Sequence, residues 1–382
     1  MGDKPENKKG WQQYLSVLFF LVLGAICGIF IAKYIDTVSS MGLSGGVKLL
    51  LFLSLLLVLY IAVFIQIIIH EVGHLIFALL TGYKFSSFRI LSFMWIKEKG
   101  KVRFRRYSLA GTGGQVLMAP PDMVEGKLPV VLYNLGGSIL NTITGVLFIF
   151  LYFQVKHMLF LSTVMLFLAV SGIIFALLNG IPMRLGIIDN DGYNAFSLSK
   201  DEKALRSFWV QLKANEMLAN GVRLKDMPDD WFWVPTDEEM KNSMVAVMGV
   251  YVCNRRMDAH KFDEGNQLME HLLEIDSSIV GLHRSLLICD RIYYELINNS
   301  SKETVDTMIT EEQKKFMKAM RKFPTVIRME YVYALLAEKD IKKAKEIKDQ
   351  FLKYTRNYPY PIEIEAELEL MRIAEEGIEK EL

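Results

Sequence analysis

Long uncharged apolar runs fill much of the first 200 positions; beyond them, apolar residues recur every third or fourth position among Lys and Glu. Four runs reach the roughly 20 residues that a membrane-crossing helix requires. They cover residues 11–32, 49–83, 130–155 and 158–182, and only His70, Glu71 and His74 bring imidazole or carboxylate groups into the second. The first run follows Lys4, Lys8 and Lys9, as a signal peptide would. It outlasts a signal-peptide core, however, so it reads as a retained membrane helix. Residues 84–121 carry a different pattern. Phe85, Phe88, Ile90, Phe93 and Trp95 favour strands, residues 97–101 favour a turn, and Val102-Arg103-Phe104-Arg105 alternates again. That predicts a basic amphipathic hairpin, suited to anionic headgroups or to holding an extended chain by strand addition. From residue 201 the spacing is helical, as in Leu205-Phe208-Trp209-Leu212 and Ile347-Phe351-Leu352.

The expected fold class is therefore a mainly α membrane protein. About four transmembrane helices and a small β-hairpin insertion precede an α-helical, repeat-like soluble domain. Three segments follow: residues 1–46 as an extra N-terminal helix and loop, 47–198 as the membrane core, and 199–382 as the soluble domain.

Composition sharpens this picture. Of 382 residues 52% are hydrophobic and mean hydropathy is +0.24, which excludes a disordered chain and disfavours a purely soluble enzyme. The net charge of +1 gives no reason to expect nucleic acid. Cys27, Cys253 and Cys289 are too scattered for a disulfide scaffold or a cysteine zinc site. The first 199 residues hold 16 Lys and Arg against 9 Asp and Glu, so the basic half is the apolar half. Nine of those cations lie between the second and third runs and only Lys156 between the third and fourth. The positive-inside rule then puts the first of these loops, both termini and the soluble domain in the cytoplasm. The expected location is the cell membrane, spanned several times.

The second run contains His70-Glu71-Val72-Gly73-His74. Residues four apart share one helical face, so two imidazoles can hold one metal ion with Glu71 beside its water. Ionisable groups at this depth cost several kcal/mol unless satisfied, and they default to function. The alternative is that these side chains merely bond neighbouring helices. A zinc site needs a further protein ligand. Asp189 and Asp191, just past the fourth run, are the carboxylates available, although Asp-Asn-Asp-Gly is also a good turn sequence.

Together, the H-E-V-G-H run, Asn179-Gly180-Ile181-Pro182 and Asp191-Gly192 resemble the site-2 protease family of intramembrane zinc metalloproteases. Gly136-Gly137-Ser138-Ile139-Leu140-Asn141 is similar to that family's G-P-x-x-N-type motif, and Gly111-Thr112-Gly113-Gly114-Gln115-Val116 to its glycine-rich strand. The resemblance covers about residues 47–195. It implies Zn2+ as cofactor, His70, His74 and Asp191 as ligands, and Glu71 as the catalytic base. Asn179 and Asn141 become candidates for contact with substrate or oxyanion. Asn190 stands where the family usually has leucine, and the gap from Pro182 is longer than usual. Asp191 is favoured over Asp189 because it precedes the glycine. The implied substrate is a membrane-embedded peptide or protein, cut near the cytoplasmic face within the lipid bilayer.

In the soluble half, residues 333–344 resemble the turn between the two helices of a tetratricopeptide unit, and residues 251–265 echo it. Their spacing is not a clean multiple of 34 residues, so an irregular helical-repeat-like domain is expected. Such a surface would bind a protein partner. The competing function is a non-catalytic membrane scaffold whose helical domain recruits partners. A transporter is a weaker alternative, because paired interrupted half-helices are missing.

Overall fold

The computed structural model describes residues 11–40, 42, 44–107, 113–185 and 188–379. In chain order it runs α1 (Trp11–Ser39), α2 (Gly45–Leu80), β1 (Lys84–Ile90), β2 (Phe93–Glu98), β3 (Lys101–Arg106), β4 (Gly114–Ala119), α3 (Val130–Gln154) and α4 (Leu159–Gly180). Then follow β5 (Arg184–Leu185), β6 (Ile188–Asp189), α5 (Asp191–Leu198) and α6 (Glu202–Ala219). The rest is helical: α7 (Ser243–Asp258), α8 (Phe262–Glu274), α9 (Gly281–Ile297), α10 (Lys302–Met308), α11 (Glu311–Ala319), α12 (Pro324–Val332), α13 (Ile341–Thr355) and α14 (Pro361–Glu379). The chain forms two compact units, one of residues Met1–Leu91 and Gly111–Glu202, the other of Ser92–Ala110 and Lys203–Leu382.

Four helices of the first unit are long and apolar enough to cross a membrane: residues 17–39 of α1, and the whole of α2, α3 and α4. At 1.5 Å per residue, the 36 residues of α2 span about 54 Å, well beyond a hydrocarbon core of about 30 Å. Water cannot satisfy a backbone in that layer, so unbroken helices are what such sequences form. Lipid also removes the hydrophobic drive for helices to associate, and close packing of small residues takes its place. Gly73 of α2 shows this: a Cβ there would sit 2.3 Å from the Gly136 carbonyl oxygen of α3. The same device recurs at Gly192, where a Cβ would come within 2.4 Å of the Gly180 carbonyl oxygen and push α5 off the end of α4. Strands β1 and β4 pair antiparallel, with Phe88 opposite Val116. Of the glycine-rich strand region, Gly111 and Thr112 lie outside the described residues.

In the second unit β2 and β3 form the hairpin predicted from alternation, with Trp95 opposite Phe104. Lys99 and Gly100 turn it with positive φ angles of 47° and 80°, the twist a two-residue hairpin loop needs. Met94 and Ile96 on its inner face are buried with Ala219 of α6. Phe93 and Phe104 stack on the opposite face. The helices close around a core that includes Met269, Ile292, Tyr293, Met329 and Phe351. Residues 251–265 and 333–344 do mark turns between helices, joining α7 to α8 and α12 to α13. The second of these opens with a π-helical turn at Tyr333–Ala337.

Candidate active site

About seven turns of 3.6 residues into α2, the apolar chain gives way to His70, Glu71 and His74, all buried. The two imidazoles share a face, as spacing by four dictates, and their Nε2 atoms are 3.1 Å apart. Asp191, the first residue of α5, brings its Oδ2 to 3.0 Å from His70 Nε2 and 3.3 Å from His74 Nε2. Three potential ligand atoms thus form a nearly equilateral triangle. With metal–ligand bonds of about 2.0–2.1 Å, a tetrahedral zinc site has edges of about 3.3–3.4 Å. The residues present fit such an ion closely. Among the described residues, His70, His74 and Asp191 are the group of His, Cys and acidic side chains that could hold one.

Hydrogen bonds fix each of these side chains. The Tyr133 carbonyl can only accept, so His74 donates to it from Nδ1 over 2.8 Å. Asn141 spends its Nδ2 on the Gln66 carbonyl (3.0 Å) and on Gln66 Oε1 (2.7 Å), leaving Oδ1 to accept from His70 Nδ1 at 2.8 Å. Both rings therefore turn an unprotonated Nε2 toward Asp191, the tautomer that ligation demands. Gln66, fully buried, donates in turn to the Leu168 carbonyl of α4 at 2.8 Å, so the chain of bonds links α2, α3 and α4. Room for the rings comes from glycine: a Cβ at Gly137 would lie 2.5 Å from the His70 imidazole. Glu71 lies against β4, where a Cβ at Gly114 would meet its carboxylate at 2.6 Å.

Asp191 owes its place to Asn190. The Asn190 Oδ1 accepts from the backbone N–H of Tyr193 (2.9 Å) and of Met183 (2.9 Å), while Nδ2 donates to the carbonyls of Leu178 and Ile181, each at 2.7 Å. One side chain thus caps α5 and ties it to the end of α4. The other candidate, Asp189, sits on β6 and pairs with Arg184 at 3.3 Å.

The remaining sequence candidates land differently. The Asn141 amide is committed to His70 and Gln66, which leaves it no donor for substrate in this arrangement. Asn179 donates back to the Phe175 carbonyl within α4 at 3.0 Å. Gln66 and the Tyr133 carbonyl escaped the sequence reading, and Asn190 entered it only as a departure from the family pattern. An isolated polar residue in an apolar run was the available signal for Gln66; a backbone carbonyl gives none.

Over residues 58–329 the sequence matches the profile of peptidase family M50, which is more than half of the 382-residue chain. The chain belongs to peptidase family M50. Comparison with curated proteins and with solved structures returned no match. Membership of this site-2 protease family makes the chain a membrane metallopeptidase. It also accounts for carboxylate and imidazole groups on a helix whose surroundings are otherwise apolar.

Proposed function

We propose that this family M50 member is an intramembrane zinc endopeptidase that cuts a membrane-embedded peptide or protein near the cytoplasmic face. The observation that carries the reading is the meeting of His70 Nε2, His74 Nε2 and Asp191 Oδ2 within 3.0–3.3 Å of one another. These three residues would hold the ion. A bound zinc ion supplies Lewis-acid polarisation of a carbonyl and lowers the pKa of water. Glu71 is the general base: its carboxylate takes a proton from the attacking water and delivers it to the leaving amine as the C–N bond breaks. Asn141 and Tyr133 act through the histidines, by fixing which nitrogen faces the site. Asn190 acts through Asp191. The basic segment of residues 84–127 supports an orientation with this loop and the helical domain in the cytoplasm.

Glu71→Gln tests the reading, because it keeps shape and ligands but removes the base. Membrane peptides from cells carrying either form are compared by mass spectrometry. The expected result is at least one membrane peptide that accumulates uncut in the variant and is restored by wild type. Identical peptide populations, with both proteins folded and metal-loaded, would overturn the assignment.

A further inference from the structure

The ladder of β5 and β6 leads directly into the turn that carries Asp191. Arg184 stands opposite Asp189 in it, and Leu185 opposite Ile188. Two residues per strand are far fewer than an independent hairpin needs, so side chains must hold this one in place. Next to the ladder, the Asn190 N–H donates to the Met183 carbonyl at 3.2 Å. Met183 is buried and shares an apolar cluster with Leu178 of α4 and with Leu23, Cys27 and Ile31 of α1. The root of β5 is therefore seated among membrane helices, the N-terminal one included.

Arg184 carries that hold onward. Its Nε lies 3.3 Å from Asp189 Oδ1, and its Cζ lies 4.6 Å from the centre of the Tyr193 ring. Asp189 is two residues before Asp191 and Tyr193 two residues after it. One side chain, rooted on a strand outside α5, thus grips the chain on both sides of the ligand. A planar guanidinium suits the double task, with an edge for the carboxylate and a face for the ring. The ion pair also occupies Asp189, the second carboxylate of the same turn. The helix α5 has eight residues, with Asp191 the first, and a helix that short has little stability of its own. Asn190 ties its start to the end of α4. Arg184 ties the same turn to the ladder at a second point.

We propose that Arg184 is a positioning residue for the metal site: by clamping Asp189 and Tyr193 it holds Asp191 Oδ2 in the triangle with the two histidines. It contributes no ligand and acts through Asp191. The proposal rests on the reading of that triangle as a zinc site.

Each of the two contacts is of a kind worth up to about fivefold in an equilibrium, so losing both should weaken zinc binding about tenfold. The test is competition for zinc between a graded chelator and the full-length, detergent-solubilised protein. Arg184→Met, which keeps the stem and removes the planar cation, is expected to show that tenfold loss. Arg184→Lys keeps a charge for Asp189 and should recover part of it. Asp189→Asn and Tyr193→Leu each remove one contact and should fall between wild type and Arg184→Met. The Arg184 side chain is 47% exposed, so the thermal midpoint of the zinc-free protein should stay close to wild type. Zinc affinity of Arg184→Met within twofold of wild type, with or without a lowered midpoint, would overturn the clamp and leave the zinc site standing. If Arg184→Met does not fold, wild-type affinity in both Asp189→Asn and Tyr193→Leu would overturn it equally. No zinc in folded wild type would overturn the site and the clamp together.

Discussion

Asn190→Ala is the substitution with the most to say about how the site is held. The native side chain makes four hydrogen bonds of 2.7–2.9 Å and is 8% exposed. Removing it costs the N-cap of α5, about 1 kcal/mol. Beyond that capping bond to Tyr193, it strands the Met183 N–H and the Leu178 carbonyl, each worth about 1 kcal/mol at the lower end for a buried polar group. The total of about 3 kcal/mol falls on the turn that carries Asp191. Ordering that turn again must draw on the energy of metal binding. At 1.4 kcal/mol per tenfold, zinc affinity should drop about 100-fold, the upper end for residues that orient metal ligands. The assay is zinc retained by purified protein against a graded series of competing chelator. Asn190→Asp, which keeps the acceptors and loses the donors, should fall between wild type and Asn190→Ala. Zinc affinity within threefold of wild type in Asn190→Ala, with α-helical content unchanged, would refute the argument that Asn190 positions the ligand.

Three further outcomes are expected. Gly137→Ala puts a Cβ where the His70 ring stands, 2.5 Å away, so zinc and peptidase activity should be lost while the circular dichroism of the helices persists. Asn141→Leu leaves His70 Nδ1 and Gln66 Oε1 without partners and should weaken zinc binding about 10- to 100-fold, measured by the same chelator competition. In the helical unit, burial, reinforced by Glu367 and Asp258 and opposed by the Tyr358 hydrogen bond, pushes the Glu363 carboxyl up to about 7. A folded-state pKa above the unfolded one means stability is full below the ordinary carboxylate range and is lost as pH rises through about 7. The thermal midpoint of this unit should therefore fall between pH 5 and 8, and Glu363→Gln should flatten that fall.

Much of this was legible in the chain because lipid simplifies the code. An apolar run of sufficient length has few folded options, so the four long helices were evident, although α1 runs on to Ser39 and α4 stops at Gly180, two residues before Pro182. His70 and His74 announced themselves by spacing alone, since four residues on a helix fix a shared face. Asp191 was a harder matter. Asp189 stands two residues away with the same chemistry, and only the hydrogen bonds of Asn190 turn one carboxylate toward the histidines and leave the other on Arg184. The substitution of asparagine for the family's usual leucine looked like a weakness in the motif and instead marks the residue that anchors the turn. Gln66 and Asn141 meet across 75 positions, and His74 and the Tyr133 carbonyl across 59. Contacts of that range depend on how helices cross, which here is set by Gly73 against Gly136. Periodicity within one helix carries no record of it. The hairpin of β2 and β3 was recognised by alternation, but its burial against Ala219 depends on a partner more than 100 residues away.

Metal stoichiometry tests the central claim most directly. Zinc per chain is measured in detergent-purified wild type, His70→Ala, Asp191→Ala and Asp189→Ala. The account predicts about one zinc in wild type and in Asp189→Ala, and loss of the metal in His70→Ala and Asp191→Ala. Zinc retained by folded Asp191→Ala, or absent from folded wild type, would contradict it.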